Sequence, residues 1–255
     1  MKYIDCKAYA QDILDGVRAV PHKKTLRILT MGNDPASASY VKGKIKDCEY
    51  CGIPYQHIIA ESEGQLLWYI FEGNSNDDVG GMIVQLPLPK GVDEKRYTEA
   101  VRIDKDVDGF KAGSPYKPCT PEGIMYLLRK QIKDLTGLRA LVIGRGKLVG
   151  EPIAKMLLEA DCTVTIAHSK TKNLDELLAC NDIIVAAAGK ARLVDLMKCK
   201  STAVVIDVGV NRNSEGKLCG DCYNFFESDG GLSVTPVPGG IGLMTRAMLM
   251  QHMIR

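Results

Sequence analysis

A phenol and an amine four residues apart, Tyr40 and Lys44 in "SASYVKGK", carry the first chemistry in this sequence. At i and i+4 the two share one face of a helix, so both can address the same ligand, and such a pair can protonate a carbonyl or relay a proton. On spacing alone, a surface Tyr/Lys pair satisfies the pattern equally well. A second constellation lies about a hundred residues downstream. "ALVIGRGKLVGEPIAKML" is an apolar run, a turn carrying Gly144, Gly146 and Gly150, then a helical run. Glycines let the backbone approach a pyrophosphate, and the helix N-terminus offers unpaired N–H groups and a favourable dipole. The spacing is GxGxxxG instead of GxGxxG, which a purely structural turn also fits. Its place between an apolar strand and a helix favours a dinucleotide.

The next strand, "CTVTIAH", bears on which dinucleotide. A site for NAD usually has an Asp or Glu at this strand end to take the ribose 2′-hydroxyl. Here His168 and Ser169 are followed by Lys170, and Arg145 lies in the glycine turn. That is a corner suited to a 2′-phosphate and so to NADP, although basic residues on a solvated loop would look the same. Motif order excludes one reading of the Tyr/Lys pair. In short-chain dehydrogenases the Tyr and Lys follow the glycine turn within one domain, whereas Tyr40 and Lys44 precede it and must belong to another.

The elements that position these groups follow from hydrophobic period. Residues 5–20 read as an amphipathic helix, "TLRILT" as a strand, and "ASASYVKGKIKDCEYCG" as a helix capped by Gly52. "PYQHIIA" reads as a strand, "EGQLLWYIFEG" as a helix, and "GGMIVQLPLP" as a buried strand stopped by prolines, with a further helix after Val92. The turn-rich stretch from Asp106 to Gly123 reads as a domain junction. Beyond it, helix and strand alternate again through "TAVVIDVG", and a last helix spans roughly Leu243 to Met253. Such alternation predicts parallel α/β sheets, with functional groups at the C-terminal ends of strands.

Composition narrows the function classes. The 255 residues are 45% apolar and 25% charged, and 33 basic against 31 acidic residues give a net charge of +2, so no nucleic-acid surface is expected. No run approaches a membrane span and the N-terminus lacks a secretory signal, which predicts a cytoplasmic protein with no membrane partner. Nine scattered cysteines argue for reduced thiols. The pairs Cys48/Cys51 and Cys219/Cys222 have CxxC spacing, but they lie far apart and the first falls in a helical pattern, so no metal is expected.

Eight stretches in order, "SYVKGKIKDCEYCGI", "GGMIVQLPLP", "DKDVDGF", "PCTPEGI", "GRGKLVGEPIAKML", "VTIAHSKTKNL", "VVIDVGVN" and "VTPVPGGIGLMT", resemble the bifunctional methylenetetrahydrofolate dehydrogenase/methenyltetrahydrofolate cyclohydrolase family over essentially the whole chain. The resemblance implies an α/β protein of two domains. Residues 1–116 would form a folate-binding catalytic domain completed by the C-terminal helix, 240–255, and residues 117–239 a Rossmann-type NADP-binding domain. It also implies a homodimer, a folate cleft between the domains, and a place in one-carbon metabolism and purine biosynthesis.

Carried over, Tyr40 would line the pterin site, Lys44 would be the catalytic lysine supported by Gln85, and Asp108 would hold the pterin beside the Pro238–Gly239–Gly240 turn. Gly144, Arg145, Gly146, Gly150, His168, Ser169 and Val210 would line the cofactor site, with Arg145 and Ser169 at the 2′-phosphate. The chain departs from the family pattern at Gly146, where Ser is usual, at Leu243 and Ile103, where Pro is usual, and in a shortened segment between Gly109 and Pro118. A degenerate cofactor-binding protein and a monofunctional dehydrogenase of the same family are the competing readings. The presence of Lys44, Gln85 and Asp108 together speaks against the first.

Overall fold

Two parallel sheets take up the strands that the sequence makes continuously apolar. The structure, a computed structural model, describes residues 1–21, 23–32, 34–226 and 231–255. It divides into two compact units, residues 11–119 with 246–255, and residues 1–10 with 120–245. In chain order the first half comprises β1 (Lys2–Tyr3), α1 (Cys6–Arg18), β2 (Thr25–Met31), α2 (Pro35–Cys51), β3 (Tyr55–Ala60), α3 (Glu63–Ser75), β4 (Val79–Val84) and α4 (Glu94–Ala100). The second half comprises α5 (Cys119–Gln131), β5 (Arg139–Ile143), α6 (Gly150–Leu158), β6 (Thr163–Ala167), α7 (Leu174–Cys180), β7 (Ile183–Ala186), β8 (Val194–Asp195), β9 (Val204–Asp207), β10 (Asn211–Arg212), β11 (Leu218–Cys219), β12 (Cys222–Tyr223), β13 (Ser233–Val234) and α8 (Ile241–His252).

The first unit holds a three-stranded sheet in the order β3-β2-β4, all parallel. Its central strand, β2, buries Leu26, Ile28 and Leu29 completely, each worth about 1.5–3 kcal/mol relative to exposure. Leu29 packs with Leu66 and Ile70 of α3, Met82 and Val84 of β4, and Tyr97 of α4 in one core. From β2 the chain crosses to β3 on one side and then to β4 on the other, so the topological switch lies between β2 and β4. A single parallel bridge, Met82 to Asp106, sets the 106–108 segment running alongside β4 toward the same end.

The second unit holds a six-stranded sheet in the order β1-β13-β9-β7-β5-β6, again all parallel. Leu141, Ile184, Val205 and Val234 lie in its core, and all of β7 is buried. Its switch lies between β5 and β7.

Three local features differ from the expected elements. Residues 2–3 form a strand, because the Lys2 amide bonds Leu232 O and the Ile4 amide bonds Val234 O (2.9 Å each), so residues 1–10 group with the second unit and not with residues 11–119. A two-residue strand has no readable period. The stretch "PCTPEG" is not all turn, since α5 already begins at Cys119. The last helix starts at Ile241 and not Leu243, and from Arg246 onward it belongs to the first unit.

Candidate active site

α2 positions the phenol and amine, and its ends explain why it forms there. Asp34 caps it by accepting from the Ser37 amide (2.7 Å), Pro35 occupies the first turn, and Gly52 closes it at φ 73°. Tyr40 and Lys44 project from the same face, but to different depths: Tyr40 is 36% exposed and Lys44 only 5%. A lysine so deeply placed ordinarily has a partner. Lys44 makes no hydrogen bond or ion pair with a described residue, yet its charge acts on Asp108.

Asp108 sits at the end of the segment running beside β4, with its main chain fixed by the Cys119 amide on Asp108 O (3.2 Å) and by Gly109, at φ 72°, packed against Lys117 O. Its carboxylate accepts no hydrogen bond from the described residues. Burial pushes this carboxyl above the ordinary range, Lys44 pulls it back, Asp106 raises it again and His252 lowers it. The neighbouring Asp106 is different, because its carboxylate accepts from the Lys111 amide at 2.8 Å. Gln85 follows β4 directly at the switch. Its amide bonds Leu29 O (2.8 Å) and its Nε2 donates to Leu86 O (2.7 Å), while its buried Oε1 has no partner. Gln85 does not hydrogen-bond Lys44.

A buried ion pair braces this helix. Arg246 of α8 lies against Gly43, where any Cβ would collide with its guanidinium, and meets Asp47 at 2.9 Å. Burial raises the Asp47 carboxyl, against the pull of Arg246. Burial likewise raises the Tyr40 phenol, and Arg246 opposes it.

The glycine turn lies in the other unit, at the C-terminal end of β5. Gly144, at φ 113°, donates its amide to Ala167 O (2.8 Å), and a Cβ there would strike Ala187 O at the end of β7. Gly146 faces open space, so a phosphate can approach its backbone at the head of α6. Arg145 is exposed, as is Ser169 just beyond β6. The His168 amide donates to Thr171 Oγ1 (2.8 Å) and its Nδ1 accepts from the Lys170 amide (3.2 Å), which shapes that corner. Val210 is exposed between β9 and β10, and the turn of Pro238, Gly239 (φ 94°) and Gly240 leads into α8. Of the expected residues, Tyr40, Lys44, Gln85 and Asp108 thus share one unit, and all the others lie in the second.

Residues 4–108 match the family model of the tetrahydrofolate dehydrogenase/cyclohydrolase catalytic domain, and residues 118–255 match that of the tetrahydrofolate dehydrogenase/cyclohydrolase NAD(P)-binding domain. The chain belongs to the tetrahydrofolate dehydrogenase/cyclohydrolase family. Among relatives, it is 43% identical to the bifunctional protein FolD of Magnetococcus marinus, over 98% of this chain and 95% of that one. The crystal structure of the bifunctional FolD of Campylobacter jejuni is 36% identical with a TM-score of 0.89, covering 100% of this chain and 97% of that one. The Trypanosoma brucei FolD, solved with NADP cofactor and an inhibitor, is 28% identical with a TM-score of 0.89, covering 99% and 95%.

Sequence reasoning missed two residues of this dehydrogenase/cyclohydrolase, Asp207 and Asp221, which are 2% and 0% exposed. Asp207, at the end of β9, accepts from the amides of Gly209 (3.0 Å), Asp221 (2.9 Å) and Cys222 (2.9 Å). Asp221 accepts from the amides of Ala188 (2.8 Å), Gly189 (3.0 Å) and Lys190 (2.8 Å) and from Asn211 Nδ2 (2.8 Å). Each carboxylate fills the space over the other's glycine, Asp207 over Gly220 and Asp221 over Gly209. An Asp beside a Gly at a strand end was the available signal. The CxxC cysteines do other work: Cys48 contacts Met250 Sδ (3.6 Å), Cys51 donates to Leu14 O (3.6 Å), and burial pushes both thiols up to about 12.

Proposed function

We propose that this chain oxidises 5,10-methylenetetrahydrofolate to 5,10-methenyltetrahydrofolate with NADP⁺ and hydrolyses the methenyl form to 10-formyltetrahydrofolate. Family membership over both domains carries the reading. The open backbone at Gly146 ahead of α6 fits a dinucleotide phosphate, and no carboxylate closes the corner at the end of β6. Gly144, Gly146 and Gly150 would hold the pyrophosphate, Arg145 and Ser169 the 2′-phosphate, with His168 and Val210 beside the cofactor. NADP⁺, when bound, supplies the hydride acceptor.

In the first reaction the folate methylene carbon gives up a hydride and becomes a methenyl cation shared by N5 and N10. No proton moves, so the protein's part is alignment. Asp108 serves as the pterin anchor: a half-buried carboxylate with unmet acceptor positions matches the adjacent amino and N–H donors of the ring. Tyr40 lines the pterin site, and Pro238, Gly239 and Gly240 take part in substrate binding. In the second reaction water adds to the cationic carbon and gives up both of its protons, one to N5 and one to solvent, as the C–N5 bond breaks and leaves the formyl group on N10. Lys44 is the relay for these protons, and Gln85, with its buried free Oε1, orients it or the water.

The protein works in the cytoplasm as a homodimer. The nine cysteines form no disulfide, which supports the compartment, and no helix among the described residues is long and apolar enough to cross a membrane. Trp68 and Phe71 of α3, both more than half exposed, and the open edge of β3 support self-association. An absorbance assay for methenyltetrahydrofolate, run with NADP⁺ and then NAD⁺ and followed by its decay, tests the function. Formation favoured by NADP⁺ and then decay at an enzyme-dependent rate is expected. No formation with either cofactor overturns the dehydrogenase, and decay at the buffer rate overturns the cyclohydrolase.

A further inference from the structure

Asp221 lies at neither the pyrophosphate turn nor the strand end expected to meet the ribose, yet its carboxylate gathers the backbone around the switch of the second sheet. Oδ2 accepts from Ala188 and Gly189, and Oδ1 from Lys190 and Asn211. The first three amides belong to the loop leaving β7, whose Ala187 carbonyl is packed against Gly144 of the glycine turn. Asn211 follows Val210, and its side chain also donates to Gly220 O (3.1 Å). Asp207 completes the arrangement by accepting from the Gly209 amide, just before Val210, and from the amide of Asp221 itself. Among the described residues no cation pairs with Asp221. Its charge is met by three main-chain dipoles and one side-chain amide, which fixes the loops in a way a flexible lysine or arginine would not.

We propose that Asp221, backed by Asp207, is the positioning residue of the nicotinamide dinucleotide site, holding the 187–190 loop and the 208–211 turn against the glycine turn so that the cofactor meets a preformed surface. The inference rests on the dehydrogenase/cyclohydrolase reading above. It makes a split between the two activities, because hydrolysis of the methenyl cation uses no dinucleotide.

In Asp221→Asn the shape is kept, but the charge is lost and an NH₂ faces two of the four donors. Calorimetric Kd for NADP⁺ and dehydrogenase KM for NADP⁺ are expected to rise about tenfold or more, the effect of losing one charge-assisted bond or a little more. Amide exchange at 188–190 speeds up in the ligand-free enzyme, kcat at saturating NADP⁺ changes less than KM, and cyclohydrolase activity with supplied methenyltetrahydrofolate stays within about twofold. Unchanged NADP⁺ affinity, or a cyclohydrolase that falls in step with the dehydrogenase, overturns the proposal. Asn211→Ala leaves the carboxylate and its three amides and removes one donor. Should Asp221→Asn not fold, this variant decides: a Kd for NADP⁺ raised about two- to fivefold supports the proposal, and an unchanged one overturns it. Failure of the underlying reading shows instead in the unmodified enzyme, as absence of NADP⁺ binding or of methenyl formation.

Discussion

The second unit buries two carboxylates, Asp207 and Asp221, with their acceptor positions filled, whereas the first leaves the half-buried carboxylate of Asp108 unfilled by the described residues. In the second unit Asp207 and Asp221 are surrounded by donors, with three main-chain amides on the first and three plus an asparagine on the second. In the first unit Asp108 accepts nothing from the described residues, Lys44 is buried without a hydrogen bond, and Gln85 Oε1 is buried and unpaired. A buried polar group that is satisfied holds its surroundings still. One left unsatisfied costs stability and is ready for a ligand. The difference teaches which acidic residues to read as scaffold and which as site, a distinction that composition cannot make.

The strongest test of the unsatisfied side is Lys44→Met, which keeps the stem and removes the amine. Cyclohydrolase activity should fall by about 10² to 10⁴, the usual worth of general acid–base assistance, while the dehydrogenase falls much less and methenyltetrahydrofolate accumulates. Both rates on one folded sample decide it. Equal losses would reduce Lys44 to a substrate-positioning group, and an intact cyclohydrolase would remove it from the reaction.

On the satisfied side, Asp207→Ala leaves the Gly209, Asp221 and Cys222 amides without their acceptor. A loss of about 3–5 kcal/mol is expected, seen as a lowered urea midpoint and a Tm lower by roughly 10 °C. A Tm within a degree or two of the parent would break the contrast, because the carboxylate would then contribute no more than an exposed one.

Asp108→Asn sharpens the contrast with the sign reversed. The folded Asp108 carboxyl titrates above its unfolded value, so the folded chain binds that proton more tightly, and ionisation near neutral pH subtracts from stability. The penalty disappears as pH falls through the raised folded value. The variant should therefore match or exceed the parent Tm at pH 7.5, with any advantage shrinking toward pH 4, while folate KM rises about 10- to 100-fold in both reactions. A Tm loss like that of Asp207→Ala would place Asp108 with the scaffold.

The smallest effect is expected at the exposed Arg145. Arg145→Ala should lower the NADP⁺-to-NAD⁺ ratio of kcat/KM about tenfold and leave the cyclohydrolase unchanged. An unaltered ratio would move the 2′-phosphate contact to Ser169 or Lys170.

Much of this architecture was legible because period and punctuation are local. The apolar runs became β2, β4, β5, β7 and β9, and Gly52 closes α2 as its cap. Short strands such as β1 and β13 were not legible, because two residues carry no period and only the neighbouring strand makes them a strand. The sequence by itself determined the alternation of strand and helix, the glycine turn at a strand end, and the placing of Tyr40 and Lys44 one turn apart. Tertiary structure alone decided that Lys44 is buried beside the charge of Asp108, that Arg246 reaches Asp47 across Gly43, and that Asp207 and Asp221 are closed by backbone amides. These facts depend on contacts between residues as many as 199 positions apart (246 − 47). Whether a carboxylate is satisfied is set by which donors the fold brings to it, and the neighbouring residues in the chain do not specify that.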